Sequence, residues 1–407
     1  MNPMKMRLCW KRSTTIFIVL ALLMLTNLFM ITSRVNGQDE LIYWPTYEWN
    51  LTDPADQGMN NSSIYKLYDY VDTNSINIHS VSIVRNGFLI HEEYISGFKL
   101  RSENSYGPEP NYYGIEVVIN GSLHVQFSST KTIIALLVGI AIDKGYIDNV
   151  TQTFSSFFPG LTYNSNQEEI SIEHLLTMTS GIYGDSDPEF EWDRTIQEIL
   201  NPALYGVPGI SFRYSSVSTH LLSAIINKST GQKTSEFAEE YLFDPLRISR
   251  EDWYWQGNSE TINFGGYGLY FTPQAMSKIG LLMINNGMWN GTQVISENWI
   301  LDLGTPQPNG FYGYLVWIDK YSYHTAGLLG QCIFLIPAYD LVVVFTGAIL
   351  SDANNKYIYI IDNFILPAIE GVGAPDPVIP GYPLLIFGEM LILGVIFSIK
   401  IEKNKIK

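Results

Sequence analysis

The chain is poor in the residues that bind metals or form disulfides. Its 407 residues include two cysteines, Cys9 and Cys332, and six histidines. One cysteine precedes the first long apolar run and the other comes late in the chain, so we expect no disulfide. The histidines are scattered singly, and the H-E-x-x-H pattern of many zinc enzymes is absent. We therefore predict a protein without a metal or another cofactor.

Other common functional patterns are also missing. There is no G-x-S-x-G, so the nucleophile elbow of the α/β-hydrolases is unsupported, and no glycine-rich phosphate loop precedes a helix. Basic residues are outnumbered, because 24 lysines and arginines face 40 acidic residues and the net charge is -16. This balance argues against a nucleic-acid partner. The chain is 46% hydrophobic and 14% aromatic, which is ample for a sizeable core in one large or two ordinary domains.

The first 37 residues have the layout of an export signal. They carry five basic and no acidic residues, and an uncharged, strongly apolar run extends from Ser13 to Ser33. Basic residues before such a run are typical of a signal peptide or a signal anchor. The run is long for a cleaved signal, so cleavage and retention both stay open.

The other end of the chain holds a second apolar segment, after a linker. Residues 371–383 are rich in proline and glycine, which predicts a semi-extended linker. Residues 384–399 are mostly apolar, with Glu389 as the exception, and residues 400–407 carry four lysines. We predict a transmembrane helix rather than a buried one, because the linker detaches the segment and the lysines mark a cytoplasmic end. The domain at residues 38–370 would then lie outside the cytoplasm, tethered to the cell membrane.

The pattern of that domain predicts an α+β fold. The stretch His79–Tyr94 alternates as two strands around Asn86-Gly87, a pair typical of a type I′ hairpin. Apolar periodicity and end signals predict a helix within Gln126–Tyr146, a short helix within Ile170–Ile182 that ends at Gly181, and a helix that begins just after Tyr214 and stops at Gly231. Further helices are predicted from Thr272 or Pro273 onward and at Ala353–Ile369. Two further strands are expected at residues 330–336 and 340–347. Strands at both ends with helices between them indicate one antiparallel sheet shared by the terminal parts, flanked by helices, with an all-helical subdomain.

The strongest chemical signal is an S-x-x-K pair at the start of the first long helix. Ser128 and Lys131 are three residues apart, so they lie on one helix face, and the residues that follow are apolar on nearly every side. A serine hydroxyl there can attack a carbonyl group. A lysine in apolar surroundings can serve as its base, because such surroundings disfavour the charged ammonium. The alternative is purely structural: a serine cap on a core helix, with the lysine extended toward solvent.

The spacing alone does not single out this pair. Ser63 with Lys66 and Ser96 with Lys99 also match S-x-x-K. The first lies in a polar, asparagine-rich segment, and the second is followed at once by Gly97. Only Ser128 opens a helix that is expected to be buried.

Two later segments complete a pattern that resembles a known superfamily. They are Tyr214-Ser215-Ser216, before a second apolar helix, and His324-Thr325-Ala326-Gly327, at the start of a strand. Together with Ser128-Ser129-Thr130-Lys131, their order and separation resemble the serine β-lactamases and penicillin-binding proteins of the class C type. The resemblance covers about residues 77–369. Longer strings within it, such as FTPQAMSKIGLLMINNGMWNGTQVISENWI, look similar to 6-aminohexanoate-oligomer hydrolases and related esterases.

The resemblance implies a β-lactamase/transpeptidase-like fold and a role for each residue. Ser128 would be the acylated nucleophile, Lys131 its base, and Tyr214 the group that passes a proton to the leaving atom and activates water. The oxyanion would be bound by the backbone N–H of Ser128 and a second N–H from the strand, at Leu328 in the preferred register or at Gly327 otherwise. Ser216 and His324 would border the substrate.

The chain departs from the superfamily pattern at two positions. The superfamily has an asparagine where Ser216 stands and often a lysine where the strand offers only His324 or Thr325. Both departures weaken recognition of a carboxylate-bearing β-lactam and favour a small-molecule or peptide-like ester or simple amide. The sequence thus predicts a serine hydrolase that forms an acyl-enzyme. A β-lactamase or D-alanyl carboxypeptidase, and a non-catalytic binding or sensor ectodomain of the same fold, remain alternatives.

Overall fold

The structure is a computed structural model that describes residues 43–95, 97–98, 115–116 and 121–371, apart from residues 165, 192, 193, 259 and 322. The unit of interest begins at Trp44. The predicted export signal, the linker from residue 372, the apolar segment at residues 384–399, the lysine-rich tail, and Ser96 with Lys99 lie outside the described residues. Within the described ranges, no helix has both the length and the apolar character needed to cross a bilayer.

A six-stranded antiparallel sheet forms the base of the domain, in the order β10-β11-β12-β13-β1-β2. Its strands are β1 (Ile78–Arg85), β2 (Phe88–Tyr94), β10 (Trp317–Ile318), β11 (Tyr323–Gly327), β12 (Gln331–Ile336) and β13 (Leu341–Gly347). Strand β13 is buried along its whole length and β1 is buried except at Arg85, because helices cover both faces of the sheet. The shared sheet predicted from the two ends of the domain is confirmed.

Small accessory strands lie outside this sheet. They are β3 (Gly97–Phe98) with β4 (Ile115–Glu116), β5 (His124–Val125) with β7 (Leu269–Phe271) and β6 (Trp253–Trp255), and β8 (Met288–Trp289) with β9 (Thr292–Gln293). Strand β5 ends directly before the segment that carries Ser128. Its pairing with β7 therefore fixes the start of that segment.

The hairpin between β1 and β2 turns where the sequence predicts. Asn86 and Gly87 both have positive φ angles, 51° and 82°, as a type I′ turn requires. Asparagine and glycine tolerate this backbone region better than other residues. The prediction of two strands joined at this pair is confirmed.

Ten α-helices lie among the described residues, most of them between β2 and β10. They are α1 (Asn61–Thr73), α2 (Thr130–Asp143), α3 (Phe154–Phe157), α4 (Ile172–Leu176), α5 (Ile196–Leu200), α6 (Ser216–Thr230), α7 (Thr234–Ala238), α8 (Pro273–Ile284), α9 (Glu297–Leu303) and α10 (Ala353–Ile360). Helix α6 ends at Gly231 with φ 73°, and α8 begins at Pro273 with Thr272 as its cap, as predicted.

Helix α2 runs through the centre of the larger apolar core. All its residues from Thr130 to Ala141 are buried. Trp299 of α9 packs against it at Gly139, and the indole Nε1 donates a hydrogen bond to the Ala135 carbonyl at 3.0 Å. Burial on all sides explains why the sequence shows almost no polar face here.

Two predicted helices differ from the structure. The helix expected at Ile170–Ile182 is wrong in extent, because α4 covers only Ile172–Leu176. The chain then turns, with positive φ at Met178 and Gly181, so apolar residues that looked helical are buried in a turn. The final helix is helical over most of its predicted span but not uniform, since α10 continues as a π-helix at Ile361–Ile365 and a 3-10 turn at Leu366–Ala368.

Candidate active site

Ser128 lies in a 3-10 turn, Phe127–Ser129, that leads directly into α2. The preceding residue, Phe127, has φ 45°, a backbone region that a bulky side chain rarely adopts. The side chain of Ser128 is partly accessible to solvent, whereas the next residues are buried. The nucleophile candidate is thus held at the surface end of a helix whose remainder is buried.

Lys131 is buried in the first turn of α2 and makes three hydrogen bonds. Its Nζ lies 3.0 Å from Ser128 Oγ, 2.9 Å from Ser216 Oγ and 2.8 Å from the Gly266 carbonyl oxygen. The residue is only 1% exposed. Three acceptors satisfy the three N–H groups of an ammonium, and the structural alternative of a lysine extended toward solvent is therefore wrong.

Ser216 joins Lys131 to a carboxylate that the sequence reasoning missed. Ser216 is the first residue of α6, and its hydroxyl donates to Asp185 Oδ2 at 2.6 Å. The Ser216 backbone N–H donates to the other carboxylate oxygen, also at 2.6 Å. Nothing in the sequence pattern distinguishes Asp185 from the other acidic residues of this stretch, such as Asp187 and Glu189.

Two glycines bring the third partner of Lys131 into place. A Cβ atom on Gly266 would lie 2.6 Å from the Ser216 Cβ, and one on Gly265 would lie 2.2 Å from the Thr219 carbonyl oxygen. The backbone therefore approaches the first turn of α6 more closely than any residue with a side chain would permit. This approach places the Gly266 carbonyl oxygen against Lys131.

The loop that carries Asp185 is attached to the segment before α6. Arg213 donates from one nitrogen to both carboxylate oxygens of Asp187, at 2.9 and 2.7 Å, and Asp187 also accepts the Gly184 N–H at 2.6 Å. Tyr205 donates to Glu189 at 2.7 Å. These bonds hold the loop independently of the contact between Asp185 and Ser216.

Tyr214 lies beside Lys131 but presents its ring. The Lys131 Nζ lies 4.8 Å from the ring centroid of Tyr214, within cation–π distance. On its other side the ring stacks on Trp317 of β10, with centroids 5.8 Å apart and an angle of 24° between the planes. The structure thus brings Tyr214 to the lysine.

Strand β11 forms the opposite wall of the site. The Ser129 hydroxyl lies 2.6 Å from the Gln331 carbonyl oxygen and 3.0 Å from Thr325 Oγ1, which joins the start of α2 to β11 and β12. At Gly327 an added Cβ would lie 2.2 Å from the Gln126 carbonyl oxygen. The strand therefore passes immediately beside the turn that carries Ser128.

The two candidate oxyanion donors differ in their surroundings. Gly327 is the last residue of β11 and lies opposite Gln331 of β12. The side chain of Leu328 points to solvent and is 59% exposed. The structure brings both residues to the end of β11 nearest Ser128.

His324 does not point toward Ser128, contrary to the substrate-binding role considered for it. Its Nδ1 lies 3.0 Å from Asp319, its Nε2 lies 3.3 Å from the Asn354 amide nitrogen, and its ring stacks on Phe334. Successive residues of a strand point to opposite faces, and Thr325 is the one that faces Ser129. His324 is therefore enclosed on the far face of the sheet.

The S-x-x-K match at Ser63 and Lys66 lies on helix α1, where Lys66 is exposed. It lacks the buried lysine that distinguishes the pair at Ser128. Among the described residues, no group of three or more histidine, cysteine, aspartate or glutamate side chains is arranged to hold a metal ion.

A small cleft beside Ser216 and Gly266 has room for little more than a water molecule. Aromatic and charged side chains contribute to its lining, among them Phe190, Glu191, Arg194, Phe264 and Tyr267.

Comparison with known proteins identifies the class to which this fold and site belong. The model of the Beta-lactamase family matches residues 81–348, and the chain belongs to this family. The resemblance found in the sequence is thereby confirmed.

Individual relatives in sequence are distant. The 6-aminohexanoate-dimer hydrolase of Paenarthrobacter ureafaciens is 26% identical over 257 residues, which are 54% of this chain and 65% of that protein. Protein flp of Staphylococcus aureus (strain MW2) is 24% identical over 222 residues, which are 48% of this chain and 41% of that protein. The matched part is thus less than two thirds of the length of either relative.

Solved structures agree in fold. A family VIII carboxylesterase gives a TM-score of 0.61 at 13% identity and covers 78% of this chain and 98% of its own. FmtA from Staphylococcus aureus gives a TM-score of 0.60 at 15% identity and covers 81% of this chain and 96% of its own. The β-lactamase/transpeptidase-like α+β fold predicted from the sequence is confirmed.

Proposed function

We propose that the protein is a serine hydrolase that cleaves an ester or simple amide through an acyl-enzyme on Ser128. The observation that carries the proposal is the 3.0 Å contact between Ser128 Oγ and the buried Lys131 Nζ. A nucleophile in hydrogen-bond contact with a base, with the base in turn held by other groups, is the arrangement expected for covalent catalysis. The family match and a relative named as a hydrolase support the same class of reaction.

The acylation step follows from these positions. Lys131, as a neutral amine, takes the proton of the Ser128 hydroxyl while Oγ bonds to the substrate carbonyl carbon, and the carbonyl oxygen becomes an oxyanion. We assign its two donors to the N–H groups of Ser128 and Leu328, because Gly327 pairs with Gln331 in the β11–β12 ladder whereas Leu328 follows the last residue of β11. The tetrahedral intermediate then expels the alcohol or amine, which receives the proton from the Lys131 ammonium.

Deacylation repeats the same transfers with water. A water molecule gives a proton to Lys131 as its oxygen bonds to the acyl carbon, and the ring of Tyr214 lies beside the Lys131 nitrogen. The carboxylic acid leaves, and Ser128 Oγ recovers the proton. The same groups serve as acid and base in both halves of the reaction.

The choice of an ester or simple amide rests on the surroundings of the nucleophile. No cationic side chain of β11 faces Ser128 in the described structure, because His324 points to the far face of the sheet. Ser216 offers a short hydroxyl, already committed to Lys131 and Asp185, where the superfamily pattern has an amide. Both features reduce the means of binding the carboxylate and amide of a β-lactam. We further propose, from the sequence, that the domain is tethered outside the cytoplasm.

The test is hydrolysis of a short-chain p-nitrophenyl ester by the 407-residue chain in detergent. Wild type is compared with Ser128→Ala, Lys131→Ala and, as a matched control, Ser63→Ala. We expect the first two variants to lose activity and the third to retain it. Nitrocefin is assayed in parallel, and turnover of nitrocefin without turnover of the ester would favour the β-lactamase alternative. Folded wild type that hydrolyses neither substrate and is not labelled by a fluorophosphonate would favour the binding ectodomain.

A further inference from the structure

Catalysis depends on which of the three partners of Lys131 accept a hydrogen bond from it and which one donates a hydrogen bond to it. As an ammonium, Lys131 donates to Ser128, Ser216 and Gly266. To remove the Ser128 proton it must be a neutral amine, which has two N–H donors and one lone pair. Catalysis therefore requires that the lone pair face Ser128 and that both N–H groups face the other two partners.

The Gly266 partner admits only one arrangement. A carbonyl oxygen has no proton to give, so an N–H group of Lys131 must point to it. The Ser216 hydroxyl is different, since it can accept from the amine or donate to its lone pair. If it donated, it would occupy the lone pair that Ser128 needs.

Asp185 removes this ambiguity. A carboxylate accepts hydrogen bonds and cannot donate them. The Ser216 hydroxyl proton therefore points to Asp185 Oδ2, at 2.6 Å, and the Ser216 oxygen must accept from Lys131. The second carboxylate oxygen accepts the Ser216 N–H, so the carboxylate cannot rotate away without losing two bonds.

We propose that Asp185 is a positioning residue that directs the Lys131 lone pair to Ser128 through the Ser216 hydroxyl. The inference rests on the function proposed above. Ser216 in the place of the superfamily's asparagine then has a specific consequence. An asparagine amide has fixed donor and acceptor ends, whereas a serine hydroxyl takes its direction from its neighbour, and Asp185 is that neighbour.

The Asp185→Asn variant would reverse the direction of the Ser216 hydroxyl. An amide that keeps its oxygen on the Ser216 N–H presents its NH₂ group to the Ser216 oxygen. That oxygen then accepts from the amide, and its proton points to the lone pair of Lys131. We expect the rate constant for labelling of Ser128 by a fluorophosphonate to fall about 10-fold or more, within the range of general-base effects.

Removing the Ser216 hydroxyl should restore the labelling rate that Asp185→Asn lowers. In Ser216→Ala, Lys131 keeps Gly266 as an acceptor and no hydroxyl competes for its lone pair, so we expect a smaller loss than in Asp185→Asn. In the double variant Asp185→Asn/Ser216→Ala the labelling rate should recover to within about 2-fold of Ser216→Ala alone. The backbone N–H of Ser216 is present in every variant.

The rescue distinguishes a directing role from a structural one. If Asp185 only anchors its loop through the Ser216 N–H, Asp185→Asn will lower the labelling rate constant by the same factor whether or not the Ser216 hydroxyl is present. That result would overturn the proposal. It is equally overturned if Asp185→Asn labels as fast as wild type. Glu189→Gln is the matched control, since it removes one charge from the same loop and touches Tyr205 instead; we expect a rate within about 2-fold of wild type.

The same experiment separates failure of the inference from failure of the proposed function. Folding of each variant is checked by its thermal unfolding transition. If folded wild type shows no labelling that depends on Ser128, the hydrolase itself is refuted, and the role of Asp185 with it. If wild type is labelled and the rescue fails, only the role of Asp185 is refuted.

Discussion

The indole of Trp299 lies directly over Gly139 in the middle of helix α2. A Cβ atom at Gly139 would lie 2.3 Å from the indole Cδ1, closer than two carbon atoms can approach. The adjacent ring atom, Nε1, donates the hydrogen bond to the Ala135 carbonyl, which holds this edge of the indole against α2. Helix α2 and α9 can therefore pack at this distance only because residue 139 has no side chain.

This contact predicts the effect of a single methyl group. Gly139→Ala should lower the free energy of unfolding by about 1–3 kcal/mol, even though alanine favours a helix more than glycine does by about 1 kcal/mol. Urea unfolding followed by tryptophan fluorescence measures it. Gly160→Ala is the matched control, because an added Cβ there meets no atom within 4 Å. Equal stability of the two variants would contradict the packing argument.

A second glycine substitution should affect activity more than stability. In Gly266→Ala the new Cβ would press on Ser216 and shift the carbonyl oxygen that binds Lys131. We expect kcat/KM for the ester to fall by roughly 10- to 100-fold, as displacement of a catalytic group by about 1 Å can cause. The matched control is Gly206→Ala, where an added Cβ has open space. Full activity of Gly266→Ala would show that this carbonyl is dispensable.

The buried His220 predicts a loss of stability in acid. The Asn258 amide nitrogen lies 3.2 Å from His220 Nε2, and the Asn258 oxygen already accepts two backbone N–H groups, so the amide nitrogen must donate to the imidazole. Burial lowers the pKa of His220 to about 4. The unfolded chain, with an ordinary pKa near 6.5, then binds more protons than the folded protein between these values.

The sign and size of this effect follow from linkage. Because the unfolded state takes up the proton first, the folded state loses stability as the pH falls from about 6.5 toward 4, by about 3 kcal/mol from this residue. Denaturant unfolding at pH 7.5, 5.5 and 4.5 measures it. The difference in unfolding free energy between wild type and His220→Gln should change with pH in that direction. A constant difference would mean that His220 titrates normally in the folded protein.

The hydrogen bonds of Lys278, which is not part of the candidate active site, predict a contribution to stability. Its buried Nζ donates to three carbonyl oxygens, of Thr46, Tyr47 and Arg247, at 2.5–3.1 Å. Lys278→Met would leave these carbonyl groups without that donor and should lower the free energy of unfolding by about 1–3 kcal/mol. Lys356→Met is the control, since that lysine is only partly buried and its Nζ donates to one carbonyl, that of Ser351. Comparable losses in both variants would contradict the special role of burial.

The sequence predicted those parts of the site that depend on neighbouring residues. Ser128 and Lys131 lie three positions apart, and the pattern of one helix is enough to bring them together. Asp185 and Gly266 could not be predicted in the same way, because they reach Ser216 and Lys131 across 31 and 135 residues. Their positions depend on how the loop and the glycine turn pack on α6, which no local pattern records.

Similar reasoning explains which elements of the fold were predicted. The Asn86-Gly87 turn and the caps of α6 and α8 are local, and each follows from the residues at that point. The extent predicted for the helix at Ile170–Ile182 was wrong because buried apolar residues give the same sequence pattern in a helix and in a turn. His324 was considered for the substrate because it stands at the right place in a motif, but the strand's alternation directs it to the other face.

The pairing of β1 with β13 has a consequence for how the protein is made. Ser80 and Thr346 share a hydrogen bond of 2.6 Å although 266 residues separate them along the chain. The central strands of the sheet therefore cannot pair until nearly the whole domain has left the ribosome. Contacts of such long range slow folding. Strand β11, which lies beside Ser128 in the folded domain, is synthesised about 200 residues after it. We therefore expect hydrolytic activity only after β11 and β13 have been synthesised and have paired in the sheet.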